Sequence, residues 1–348
     1  MIVWLLLVPL ALVAALPLLG IAYQAIGEGV DRRRYPPPGR LVTVDGQTLH
    51  YVDAGASRGD DETTIVLEAG ISASSLSWAR VMPELSRHGR VIAYDRGGLA
   101  WSGPADDARL ADRLVIELDG LLSEAGVRGP LILVGHSFGG LLCLMYAVKH
   151  RDRVAGIVLV DPVPRCEWMP LRQNQSFRLA YGIRMALRGA LLAKLGVVRF
   201  VLALFVNGAR AFPKAVARVS GGHASGAVER LVDEVKKLPR ESWPIVRAHW
   251  SVPKTFFSMA SHLKNLPESV TQYQPESFPP HVPLTVLSAE SANPYAVAEH
   301  HGDAQRSLVG THRVVPDSGH WIHLDQPDVV IEAVLTLRRF VESLKQTA

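Results

Sequence analysis

Cysteine is nearly absent from this chain of 348 residues, which holds only Cys143 and Cys166. Their spacing suits neither a zinc site nor the disulfide framework of a small stapled domain. Cys143 lies in an apolar helical run and reads as core filler, and Cys166 is likewise taken as structural. An excess of one charge is missing too. Lys and Arg number 37 against 33 Asp and Glu, a net +4 spread along the chain. Without a dense basic tract or basic residues interleaved with aromatics, nucleic acid is not an expected partner. Internal repeats are not visible. With 48% hydrophobic and 20% charged residues the chain can bury a full core, which excludes a disordered class.

What is present begins with a long apolar run. From Ile2 to Ile26 only Gln24 interrupts it. As a helix it would be about 37 Å long, against a hydrocarbon core of roughly 30 Å. An uncleaved transmembrane anchor over 1–27 is therefore expected. A signal peptide is an alternative, but it calls for a positive start and a shorter apolar stretch, and Pro17 follows the small-residue candidates Ala14 and Ala15. A buried core helix is a third reading. Arg32, Arg33 and Arg34 follow the run and nothing basic precedes it. The positive-inside tendency then places a single-pass protein with a cytoplasmic catalytic domain, although Glu28 and Asp31 dilute the signal. Residues 28–40, including Tyr35-Pro36-Pro37-Pro38-Gly39, read as a stiff linker.

Beyond it, strands and helices alternate. Leu41–Val44 and Thr48–Val52 flank an Asp45-Gly46 turn, and short apolar runs follow at 65–67, 91–94, 131–134 and 156–160. Helical periodicity fills 110–125 and 138–150. Alternation of this kind predicts an α/β fold, a mostly parallel central sheet with helices on both faces. The pattern breaks over 164–280, a helical, basic and apolar stretch, and resumes with strands at 283–288 and 313–315 and a closing helix at 329–344. The expected organisation is a core of 41–163 and 281–348 interrupted by a helical cap over 164–280, placed to cover an active site.

Chemistry enters at Gly135-His136-Ser137-Phe138-Gly139, between an apolar strand and a helix. Only small residues fit so sharp a turn, and it raises the Ser137 hydroxyl above the sheet with the Phe138 N–H at a helix start, where it can stabilise an oxyanion. A serine hydroxyl needs a general base. His320, in Asp317-Ser318-Gly319-His320-Trp321 between the last strand and the last helix, is placed to serve. His300, His301 and His312 read as solvated loop residues and His136 as elbow packing.

These runs resemble the α/β-hydrolase superfamily, in its serine esterase and lipase-like branch. Tyr94-Asp95-Arg96-Gly97-Gly98-Leu99-Ala100-Trp101-Ser102 is similar to that family's Asp-Arg-Gly turn, with Ala100 where many members carry glycine. Leu67-Glu68-Ala69-Gly70-Ile71 stands in the place of its His-Gly oxyanion motif, and by that resemblance the Ile71 N–H is a second oxyanion donor. The resemblance covers 40–163 and 283–345, not the cap. It implies an orienting acid either just past strand 283–288, where Glu290 stands, or at the end of strand 156–160, where Asp161 stands. Either carboxylate would fix the His320 tautomer; Asp161 is preferred, although a strand-end aspartate also commonly caps backbone.

The expectation is a serine hydrolase that cleaves a carboxylic ester, with an apolar acyl or lipid-like substrate, through an acyl-enzyme and with no metal or organic cofactor. A serine nucleophile argues against the branches that use aspartate on haloalkanes and epoxides. Thioester, amide or peptide cleavage and a cofactor-free haloperoxidase activity stay open on the same residues, and so does a non-catalytic binding module. In the cap, Arg178, Arg184, Arg188, Lys194 and Arg199 among apolar residues fit either contact with anionic lipid or an ordinary solvated helix face. Leu191–Val206 is apolar enough to line an acyl pocket.

Overall fold

The computed structural model describes residues 2–56, 59, 62–105, 107–206 and 234–347; for 2–14, 205–206 and 346–347 it describes the backbone alone. Its centre is an eight-stranded sheet in the order β1-β2-β4-β3-β5-β6-β7-β8. The strands are β1 (Arg40–Val44), β2 (Gln47–Ala54), β3 (Thr64–Glu68), β4 (Val91–Asp95), β5 (Leu131–His136), β6 (Val154–Val160), β7 (Leu284–Ala289) and β8 (Thr311–Val315). β1, β2 and β4 pair antiparallel and all other neighbours pair parallel. The hairpin turn holds both Asp45 and Gly46 at positive φ, 48° and 82°, which matches the right-handed strand twist.

The apolar runs of the central strands split by the two-residue period of a pleated strand. Val66, Leu133, Ile157 and Leu159 face one core, packed with α3 (Ala111–Glu124) and α4 (Phe138–Lys149). Their neighbours Ile65, Leu67, Ile132, Val134, Val158 and Val160 face a second core with Trp78 and α11 (Pro327–Thr347). Short α2 (Met82–Leu85) and α10 (Ile322–Asp325), with α9 (Pro294–Ala304), complete the layers. Burying one such Leu or Ile contributes about 1.5–3 kcal/mol, and covering both faces explains why these strands read as unbroken apolar runs.

Between β6 and β7 the chain inserts α5 (Gln173–Lys194), α6 (Val197–Val206), α7 (Trp243–Trp250) and α8 (Pro253–Gln272). Part of the expected cap, 207–233, lies outside the described residues. α5 and α8 pack closely where Gly189 meets the Phe256 ring: a Cβ there would lie 2.5 Å from the ring.

The N-terminal expectation changes. α1 runs from Ile2 to Arg34, so residues 28–34, expected in a linker, continue the helix, and the extended spacer starts only at Tyr35. Among the described residues no helix is long and apolar enough to cross a membrane, and the anchor expected over 1–27 is unsupported; its first half lies where side chains are not described. The described half of α1 is tied to the inserted helices instead. Gln24 Nε2 donates to Ser251 O at 3.0 Å, and Arg199 joins Gln24 Oε1 at 2.9 Å and the Asp31 carboxylate. A buried, paired arginine and aspartate hold residues 24–31 against protein.

Candidate active site

Ile71, Ser137, Asp161, Glu290 and His320 each follow the C-terminal end of a strand, where open α/β sheets form their crevices. At the end of β5 the chain turns straight into α4, and Ser137 takes φ 55° and ψ −121°. That conformation is costly for a residue with a Cβ and signals a site that the surroundings over-determine. The flanking glycines are required by close approach. A Cβ on Gly139 would lie 2.6 Å from Ala69 O, and one on Gly135 would lie 2.6 Å from Gly139 O and 2.7 Å from the Cys143 sulfur. Ser137 N donates to Val160 O at 3.1 Å, and Ser137 O accepts from Val163 N and Gly140 N, which ties the turn to the end of β6. The Phe138 N–H sits at the first turn of α4, where unpaired amides carry the positive end of the helix dipole.

Asp161 occupies the end of β6 with φ 42°. Its Oδ1 accepts from Ala289 N at 3.0 Å, and its Oδ2 lies 2.6 Å from His320 Nδ1. Asp161 is buried while His320 is half-exposed, so the imidazole is held from below and reaches the surface. Glu290, the alternative acid, does not meet His320; its Oε2 accepts from Asp317 N at 2.9 Å.

Histidines surround the candidate site; His136 packs at the elbow as expected, while sequence reasoning missed His323 and the placement of His300 and His312. His136 is buried, and its Nε2 lies 2.9 Å from the His320 carbonyl, so the residue beside the serine holds the base loop. Its ring packs on His320, Trp321 and His323 at centroid distances of 4.7, 5.1 and 4.5 Å. Burial lowers the His136 pKa well below its ordinary value, and the nearby His323 and His320 add to this, so the ring is neutral and donates from Nε2. Burial likewise brings His323 down to about 3. His300, expected in a solvated loop, is instead buried on α9, hydrogen-bonded to Ser288 Oγ at 2.7 Å and to the carbonyl of Pro162, next to Asp161, at 2.9 Å. His312 lies on β8 and reaches the same Ser288 hydroxyl at 2.8 Å. Cys143 is buried as expected, whereas Cys166 is exposed.

A charged network lies under the loop that follows β3. Glu68 is buried and bonds the Tyr94 hydroxyl and Arg96 Nη1, the latter at 2.6 Å. Arg96 also donates to Ala69 O at 2.8 Å and to Gly70 O, the carbonyls just before Ile71. Burial raises the Glu68 pKa, with the Arg96 charge opposing. The departure from the family's His-Gly pattern thus has a physical role: the carboxylate supplies the counter-charge for a buried arginine that fixes the loop backbone. The sequence signal was the Glu68-Ala69 departure itself.

Beside this loop a cleft is lined by Ser72, Ser74, Leu76, Leu99, Ala100, Val246, His249, Trp250 and Thr255, so the inserted helix α7 forms its outer wall. Among the described residues, Ser72 Oγ and His249 Nε2 are buried with no protein partner. Burial lowers the His249 pKa to about 4. The cleft is therefore mostly apolar, with a few neutral hydrogen-bonding groups.

Residues 65–333 match the model of the alpha/beta hydrolase family. Among curated proteins, the YqjL protein of Bacillus subtilis (strain 168) is 37% identical over 123 residues, 35% of this chain and 47% of that protein. The YbdG protein of the same organism is 25% identical over 171 residues, 49% of this chain and 50% of that protein. The matches thus span about half the length of these relatives. Among solved structures, a thermophilic esterase from Thermogutta terrifontis has TM-score 0.59 at 21% identity, covering 87% of this chain and 99% of that one. The Cif epoxide hydrolase from Acinetobacter nosocomialis has TM-score 0.65 at 16% identity, covering 91% and 96%. At such identities the likeness establishes the fold, and the family model, matched over most of the sequence, establishes membership: the chain belongs to the alpha/beta hydrolase family.

Proposed function

We propose that the protein is a serine hydrolase that cleaves a carboxylic ester through an acyl-enzyme. The observation that carries the reading is the Asp161–His320 contact of 2.6 Å beside a strained serine at the head of α4. Ser137 Oγ attacks the ester carbonyl carbon while His320 Nε2 accepts its proton; Asp161 holds the Nδ1–H and stabilises the imidazolium. The amides of Ile71 and Phe138 hold the oxyanion. Collapse of the tetrahedral adduct expels the alcohol, which takes the proton from His320. Water then adds to the acyl-enzyme by the same route in reverse, releasing the acid.

An apolar acyl group is the proposed substrate, from the apolar side chains Leu76, Leu99, Val246 and Trp250 near the loop after β3; the cleft that they wall holds only about 20 Å³ and must widen to admit one. Serine at the nucleophile position argues against the aspartate-based opening of epoxides.

Treatment of the purified protein with a fluorophosphonate probe tests the reading. Wild type is expected to label and Ser137→Ala to lose the label while keeping its fold by circular dichroism. An unlabelled wild type that is folded and stable refutes it.

A further inference from the structure

The helices α1 and α6 turn polar groups inward and apolar ones outward, and the end of α5 beside them exposes leucines. On α1 apolar side chains are exposed around most of the helix, among them Leu16, Leu18, Leu19, Ile21, Ile26 and Val30. One narrow stripe, Gly20, Gln24, Gly27 and Asp31, recurs at steps of four, three and four and meets protein. Gly20 lies against the Leu195 carbonyl and Gly27 against the Arg199 side chain, so closely that neither position has room for a Cβ. Gln24 and Asp31 are buried. α6 repeats the inversion: Arg199 is buried against Gln24 and Asp31, while Val197 and Phe200 are exposed. At the end of α5, Leu187, Leu191 and Leu192 are exposed. Most of these apolar side chains lie within about two helical turns of the Gly20–Leu195 crossing.

In water, burial drives apolar residues inward and leaves polar ones outside. The reverse order, with glycines at the helix crossing and ionised groups paired inside, suits helices whose outer surroundings are hydrocarbon. Charge points the same way. α5 and α6 together carry Arg178, Arg184, Arg188, Lys194 and Arg199 and no acidic residue, and α1 ends in exposed Arg32, Arg33 and Arg34. All but Arg199 are exposed. Such a rim attracts an anionic lipid surface.

We propose that α1, α5 and α6 form a docking surface for an anionic phospholipid bilayer, seated in the interface with its leucines and Phe200 in the acyl region. No helix has to cross the membrane for this, and it is independent of the hydrolytic chemistry. It would place the α7 wall of the cleft, on the same insertion, close to lipid.

The test uses the full chain with Cys166→Ser, the buried Cys143 kept, and one added cysteine in turn at Leu19, Leu191, Phe200 and, as a control remote in sequence, exposed Leu308. Each is spin-labelled and bound to phosphatidylcholine vesicles with or without one quarter phosphatidylglycerol. The ratio of collision with oxygen to collision with a water-soluble nickel chelate is expected to rise several-fold on vesicle binding at 19, 191 and 200 but not at 308. Partition is expected to be at least tenfold stronger with the anionic lipid. Labels at 19, 191 and 200 that stay water-accessible on bound protein overturn the proposal, whatever other segment holds the chain there. So does equal partition into neutral vesicles, or spin–spin broadening that reveals a second copy of the chain on this face.

Discussion

Replacing Asp161 by Asn isolates the acid from everything else it does. Asparagine tolerates the left-handed φ of 42° at least as well as aspartate, so the backbone is not disturbed. The amide oxygen can keep the Ala289 N–H at 3.0 Å, which turns the NH2 toward His320 Nδ1. Two donors cannot share that contact, so the ring moves its proton to Nε2 and can no longer accept one from Ser137. The flipped amide restores the ring bond but sets NH2 against the buried Ala289 N–H, at a cost of about 1–3 kcal/mol. The expected fall in kcat is therefore at least about 10-fold to 100-fold, approaching 10⁴ when the unflipped form dominates, or about 5 kcal/mol of barrier. Hydrolysis of a nitrophenyl ester series measures it, with thermal unfolding as the control. A loss below tenfold, or a larger loss in Glu290→Gln, refutes Asp161 as the orienting acid.

Glu68→Ala leaves the Arg96 guanidinium buried without its counter-charge and is expected to cost about 3–5 kcal/mol by urea denaturation. His323 is neutral when folded because its pKa falls to about 3. The unfolded state therefore binds more protons between about pH 6.5 and 3, and stability present above pH 6.5 is lost as pH falls. His323→Phe keeps the packing against Trp78 and should flatten that acid decline by up to about 1.4 kcal/mol per pH unit, read from urea midpoints at pH 7 and 5. Ala100 sits at φ 40°, so Ala100→Gly should stabilise by about 0.5–1 kcal/mol, seen as a higher unfolding midpoint.

Much of the sheet was legible because covered parallel strands must be apolar runs. The ranges expected at 91–94 and 131–134 fall inside β4 and β5. The elbow was legible for a related reason: Gly135 and Gly139 stand where backbone and sulfur leave no room for a Cβ. His300 was misjudged because composition does not show burial. His300 looked like a loop residue, yet its two ring nitrogens find Ser288 and the Pro162 carbonyl across 12 and 138 residues of sequence.

The sequence by itself determined the α/β alternation, the candidate nucleophile and base, and the insertion, since each rests on local periodicity or a short run of residue types. Only the tertiary structure decided which carboxylate meets His320, because Asp161 and Glu290 both satisfy chain order and differ only in where β6 and the loop after β7 deliver them. It also decided which side of α1 meets protein. An apolar run states how much hydrocarbon surface a segment carries, but not which side it turns outward. The pairing of Gln24 and Asp31 with Arg199 fixes that side, and those partners lie about 170 residues apart in sequence.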